Sequence, residues 1–260
     1  MIKKILFLLL LICFIFCGCT KKETPQDDLA KIIKRGKLIV GVRNDTTPFG
    51  FKDKSGNLIG FDIDLAKELA KGILGDETKL QLVPVTASNR IMKLNSTEVD
   101  ILVATMSVTN QRLQVLNFSK PYYYAGQAIL VNKSSKTNSL SDFFGKKLII
   151  VFGSISEETL KNSVPEVKVI GFKTYTDAFK ALKTGKADGI VSDDTILMDY
   201  ASKDNSVKLL PKRYSKEPYA VAVRKESDSQ RLLDSIDYII DNLQTSGKLF
   251  RLQEKWQIKN

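Results

Sequence analysis

The sequence predicts an α/β protein of two lobes, and three observations carry that reading. Short apolar runs of strand composition alternate with amphipathic helical stripes along nearly the whole chain. The alternation comes as two successive series, with the hydrophilic stretch "SSKTNSLSDF" (134–143) between them. Some 240 residues beyond an apolar leader (roughly) suit one large domain or two small ones.

The leader comes first. In "MIKKILFLLLLICFIFCGCTKKE", Lys3 and Lys4 precede an apolar run from Ile5 to Phe16 that is too short to span a bilayer. Residues 1–18 therefore read as a signal peptide. Gly18 before Cys19 resembles the lipobox of bacterial lipoproteins, which implies a diacylated Cys19; Phe16 stands where leucine is usual. Residues 19–36 are then expected to be a lipid-anchored N-terminus and tether, polar and interrupted by Pro25.

The first series opens with "KLIVGV" (37–42), a nearly continuous apolar run that fits a strand covered on both faces. In "GFDIDLAKELAKGIL" (60–74), Phe61, Leu65, Leu69 and Ile73 form one helical stripe, with Asp62 placed to cap its start. A strand "LQLVPV" (80–85), a short helix within 87–98 and a strand "VDILVAT" (99–105) follow, and then the extended "PYYYAGQAILVNK" (121–133). The second series runs "KKLIIVF", "SEETLKNS", "VKVIGF", "YTDAFKALKTG", "ADGIVS", and "YAVAVRK" (219–225) returns as a strand. Leu232, Leu233, Ile236, Ile239, Ile240 and Leu243 then make a helical stripe ending near Gly247. With 134–143 taken as a crossover, lobe 1 is expected over 37–131 plus 219–260 and lobe 2 over 132–218, with the ligand site in the cleft between them.

Composition removes several function classes. The chain has no histidine, which excludes histidine metal ligands and histidine-based triads. Two of its three cysteines, Cys13 and Cys17, lie in the leader, and a lipid on Cys19 takes the third, so neither a disulfide nor a cysteine nucleophile is expected. The net charge of +11 is spread among acidic residues, as in "KKETPQDD" and "RKESDSQR", and lacks the clustered, aromatic-interleaved stripe of a nucleic-acid binder.

Three segments carry candidate chemistry. In "VDILVATMSVTNQR" (99–112), an apolar strand breaks into Thr105, Ser107 and Thr109 and ends on Arg112. The carboxyl ends of parallel strands are where open α/β sheets place ligands. There the hydroxyls and backbone N–H groups can serve a zwitterion, and Arg112 can form a bidentate pair with its carboxylate; ordinary turn chemistry with a surface arginine explains the segment equally well. "VFGSISEE" (151–158) reads as a strand, a glycine and a capping box from Ser154 to Glu157, which leaves free N–H groups near Ile155 for an anion. "GIVSDD" ends a strand on Asp193 and Asp194; one carboxylate can face an ammonium, or both can cap the helix that follows.

The phrases "KLIVGVRNDTTPFGFKDKSGNLIGFDIDLAKELA", "VDILVATMSVTNQR", "LNFSKPYYYAGQAILV", "KALKTGKADGIVSDD" and "YAVAVRKES" together make the chain resemble the polar amino-acid-binding proteins of bacterial ABC importers. The resemblance runs from Lys37 to the C-terminus. It implies the type II periplasmic-binding fold, two α/β lobes with two hinge crossovers, and a monomeric, non-enzymatic receptor without cofactor or metal. Such a receptor captures a free L-amino acid and presents it to an ABC permease, held by its lipid to the membrane and facing the periplasm or exterior.

Carried over by position, Arg112 binds the ligand carboxylate, Ser107 supplies a hydroxyl and N–H, and Thr105 contacts the ammonium or side chain. Asp193 binds the ammonium, and Ile155 lies where a helix-start N–H reaches the carboxylate; Ser154 replaces the usual threonine. Many glutamine and basic-amino-acid binders carry an aromatic near position 87, where this chain has Ala87. Arg43 and Arg90 occupy positions that hold the side-chain carboxylate in the acidic branch, and Tyr175 matches a further contact. Glutamate or aspartate is thus the expected ligand, with glutamine or cysteine/cystine as alternatives. A dehydratase acting on prephenate-like acids is a remote alternative on the same fold.

Overall fold

Strand pairing divides the chain into two sheets of the same plan. The computed structural model describes residues 27–164 and 166–258. In the first sheet, β1 (Leu38–Val42), β5 (Leu80–Pro84) and β6 (Ile101–Leu102) run parallel, and β13 (Glu217–Arg224) joins them antiparallel, with β7 (Leu116–Ala125) at the edge. In the second, β9 (Lys147–Val151), β10 (Lys168–Phe172) and β11 (Gly189–Asp193) run parallel. There β8 (Gln127–Asn132) is antiparallel to β11, with β12 (Val207–Leu209) at the edge. A small antiparallel sheet of β2 (Asp45–Thr46), β3 (Gly50–Lys52) and β4 (Leu58–Ile59) extends the first lobe.

Both large sheets are covered on both faces, which is why their parallel strands read as unbroken apolar runs. On one face of the first sheet, α2 (Phe61–Leu74) and α8 (Gln230–Thr245) bury Phe61, Leu65, Leu69, Leu232, Ile236 and Ile240 in a common core. On the other, α3 (Arg90–Asn95) contributes Leu94 to a cluster with Val85, Val99, Leu102 and Ala222. The second sheet is sandwiched by α6 (Tyr175–Lys183) and α7 (Asp194–Lys203) on one face, through Ala178, Leu182, Ile196 and Leu197. Leu160 of α5 (Ser156–Ser163), with Leu140 and Phe143, covers the other.

The crossings between lobes lie elsewhere than expected. Because β8 pairs with β11 and β12, residues 127–131 belong to the second sheet, and the chain crosses at Gly126 rather than after 131. The stretch 134–143 is not a crossover but leads from β8 into a turn of the second lobe. The return crossing lies between β12 and β13, alongside the first: Gln127 N donates to Ser215 Oγ at 2.9 Å and Tyr214 N to Gln127 O at 2.8 Å. A Cβ at Gly126 would stand 2.7 Å from Ser215 O, so the residue must be small for the two crossings to touch. A polar stretch reads as a linker, whereas the first change of sheet falls at one glycine inside an apolar run.

Local expectations fared unevenly. Asp62 does not cap α2: its N-cap is Gly60, and Asp62 points inward, fully buried. Gly247, with φ of +67°, ends the terminal stripe as expected, but α9 (Lys248–Lys255) follows it. The signal peptide and Cys19 lie outside the described residues. The expected tether is shorter than 19–36, since α1 (Asp28–Arg35) is a helix capped by Asp27. It is pinned to the first lobe by Asp28, whose carboxylate meets Arg224 Nη2 at 2.6 Å and accepts from Ser229 Oγ at 2.6 Å.

Asp28 and Arg224 are both buried, so deleting one strands the other. Asp28→Ala is expected to lower unfolding stability by about 3 kcal/mol, measured by urea denaturation; an unchanged midpoint would show that α1 is dispensable to the lobe.

Candidate functional site

The carboxyl ends of the parallel strands in both sheets converge on one cavity. Arg43 follows β1, Thr105 and Ser107 follow β6, Ser154 and Ile155 follow β9, and Asp193 ends β11. Arg90 opens α3, Arg112 lies in α4 (Asn110–Leu113), and Tyr175 opens α6. All nine line one cavity with Ala87.

Arg112 is buried, and its Nη1 donates to Ser107 O at 2.8 Å. Its Nη2 reaches across the cleft to Gly153 O at 3.1 Å. Thr109 caps α4, accepting the Arg112 backbone N–H at 3.2 Å, which fixes the helix that aims the guanidinium. Arg90 donates from Nη1 to the carbonyls of Ala104 and Thr105, and from Nη2 to Gly153 O at 3.3 Å. Its Nε is buried with no partner among the described residues, a state that costs roughly 1–3 kcal/mol unless something in the cavity accepts from it. Burial, and then the like charges of Arg112 and Arg43, pull the Arg90 guanidinium down to about 9.

Arg43 is engaged differently. Its Nε and Nη2 both meet Asp45 Oδ1, at 3.0 and 2.6 Å, and its guanidinium carbon stands 5.7 Å from the centre of the Tyr175 ring. The Tyr175 hydroxyl bonds Ser192 Oγ at 2.8 Å. Asp193 accepts from Gln127 Nε2 and from the Tyr219 hydroxyl, and Gln127 in turn accepts from Ser156 Oγ at 2.8 Å. Burial raises the Asp193 carboxyl to about 6 against the opposing pull of Tyr219.

The capping box expected at 154–157 does not form. The N-cap of α5 is Ile155, without a side-chain cap bond; Ser154 Oγ accepts only from Ser156 N, at 3.4 Å, and Glu157 pairs with Lys161 one turn on. Ser154 is thereby left on the cavity wall.

Sequence reasoning missed four participants. Asp45 neutralises Arg43 from two residues away, a spacing that meets only because the chain folds into β2. Gln127 and Tyr219 orient Asp193 from the hinge strands. Gly153, with φ of +79°, sends one carbonyl to two arginines of the other lobe. The glycine before Ser154 was the available signal for the last of these.

Comparison with known proteins agrees with this architecture. Residues 38–259 match the bacterial extracellular solute-binding proteins, family 3. The glutamine-binding protein of Geobacillus stearothermophilus is 43% identical over 80% of this chain and 80% of its own. The ABC transporter glutamine-binding protein of Bacillus subtilis is 38% identical, covering 92% of this chain and 88% of its own. Among solved structures, a cysteine-binding protein from Campylobacter jejuni superimposes with a TM-score of 0.84 at 32% identity, over 88% of this chain and 92% of its own.

A Cβ at Gly153 would lie 2.4 Å from the carbonyl oxygen of Ala87 in the other lobe, and its backbone angle disfavours any side chain. Gly153→Ala is expected to hold the lobes apart and enlarge the radius of gyration in small-angle scattering. Unaltered scattering would mean that this contact does not limit closure.

Proposed function

The chain belongs to the bacterial extracellular solute-binding proteins of family 3, and from that premise we propose that it captures free glutamine between its lobes for an ABC permease. The observation that carries this reading is the ion pair between Arg43 and Asp45. The expectation of glutamate or aspartate treated Arg43 and Arg90 as two unpaired cations awaiting a side-chain carboxylate. With Arg43 already neutralised, an anionic side chain loses half of its reason, and glutamine becomes the better reading. The glutamine-binding relatives support the same choice.

In this reading Arg112 forks the ligand carboxylate, assisted by Ser107 and by backbone N–H groups at Ser154 and Ile155. Asp193 takes the ammonium, with Thr105 beside it. The unpartnered Arg90 Nε donates to the side-chain carbonyl oxygen, and Tyr175 with Arg43 closes the far wall. Capture and release make and break no covalent bond, so a monomer without cofactor or metal suffices. We also propose that the lipid expected on Cys19 holds the protein at the outer face of the membrane, with the polar residues before α1 as its leash.

Calorimetric titration of ligand-stripped protein with glutamine, glutamate, aspartate, cysteine and cystine tests the ligand: glutamine is expected to bind tightest, and a preference for glutamate overturns the choice. Arg112→Ala removes a buried charge partner and is expected to cost about 2–5 kcal/mol of binding. For the anchor, Cys19→Ser is expected to move the protein from the membrane fraction to the soluble one; retention in the membrane fraction would refute lipidation at that residue.

A further inference from the structure

Asp62 lies behind the cavity wall, outside the lining itself, and is fully buried. Its Oδ2 accepts the backbone N–H of Thr105 at 2.9 Å, and its Oδ1 accepts the Tyr122 hydroxyl at 3.1 Å. The carbonyl of that same Thr105 accepts from Arg90 Nη1 at 3.1 Å. One residue of the wall is therefore clamped between an acid on its amide side and an arginine on its carbonyl side. Thr105 has φ of +46°, a left-handed conformation that a β-branched residue adopts only when its surroundings impose it. No cation contacts Asp62 directly among the described residues; Arg90 and Arg43 act on it through space.

We propose that Asp62 is a specificity-determining residue: a buried counter-charge to Arg90, transmitted through the clamped Thr105, that makes the cavity prefer a neutral over an anionic ligand side chain. The proposal rests on the amino-acid-binding reading of the site. The local balance shows why a single charge matters here. Arg43 is matched by Asp45, while Arg112 and Asp193 face the two ends of a zwitterion. Arg90 is the remaining cation, hydrogen-bonded only to neutral carbonyls. With Asp62 ionised, its charge is offset and a carboxamide completes a neutral interior. With Asp62 neutral, Arg90 is left to attract a carboxylate.

Protonation offers a test without mutation. Burial raises the Asp62 carboxyl to about 6, against the opposing pull of the Thr105 N–H, the Tyr122 hydroxyl, Arg90 and Arg43. Above that value Asp62 is charged and glutamine is favoured; as pH falls through it the preference moves toward glutamate. The glutamate side chain itself, with an ordinary value of about 4.3, stays ionised down to pH 5. Asp193, also raised to about 6, faces the ammonium common to both ligands and acts on Arg90 through space as well, so only the part of the pH dependence that Asp62→Asn removes is assigned to Asp62.

The experiment is calorimetric titration of ligand-stripped protein with glutamine and with glutamate between pH 5 and 8, for the native chain and for Asp62→Asn. The native glutamine-to-glutamate affinity ratio is expected to fall at least about tenfold from pH 8 to pH 5. Asp62→Asn, which keeps the shape and removes the charge, is expected to show the shifted ratio already at pH 8 and a flatter pH dependence; a native-like pH dependence in the variant would trace it to Asp193 and overturn the proposal. A ratio that ignores pH in the native chain overturns the proposal even if the variant does not fold. So does a folded variant that weakens both ligands equally, the behaviour of a merely structural clamp. Failure of the native chain to bind either ligand removes the underlying reading of the site, and this inference with it.

Discussion

Three guanidinium groups share one small interior, and the arrangement of the cleft follows from the need to satisfy them. Arg43, Arg90 and Arg112 are all buried, and an unpaired buried charge is costly enough that a protein surrounds it with partners or does not keep it. They are settled in two ways. Arg43 has a carboxylate of its own in Asp45. Arg90 and Arg112 are held by carbonyls, each dividing its donors between its own lobe and Gly153 of the other.

Those partners are available because of where the strands end. The sheets place the carboxyl edges of β1, β6, β9 and β11 toward the same gap, so the polar residues following four strands become neighbours. Matching topologies in the two lobes make the wall two-sided. The hinge contributes as well: Gln127 and Tyr219, next to the crossings, grip Asp193. The acid is therefore oriented by the same strands about which the lobes turn.

Much of this was legible in the sequence. Apolar runs such as "KLIVGV" correspond to strands buried on both faces, and every residue expected at the site lines the cavity. What was not legible depended on folding in three dimensions. Gly126 sits within an apolar stretch, and nothing in its neighbours marks the change of sheet. Ser154 and Glu157 have the spacing of a capping box, but the helix starts at Ser156, so the pattern falls out of phase with it. Asp62 looked like a helix cap because its place in sequence is right; burial against Thr105 and Tyr122 claims it instead. The pairing of Arg43 with Asp45 was hidden for the same reason, since a sequence displays charges without displaying their partners.

The two lobes also meet in a way that links closure to occupancy. The carbonyl of Gly153, on the second lobe, accepts from both Arg90 and Arg112 of the first, so closing draws one dipole toward two like charges. A single neutral carbonyl cannot offset the repulsion between them, which adds to burial in lowering the value of Arg90. In the proposed function, a ligand carboxylate at Arg112 supplies the missing negative charge, and its ammonium neutralises Asp193 in the same event. Because these two groups come from different lobes, a zwitterion bound as proposed would satisfy both only with the cleft shut. On that proposal, the electrostatic cost of bringing the arginines together is removed by the molecule whose capture requires it.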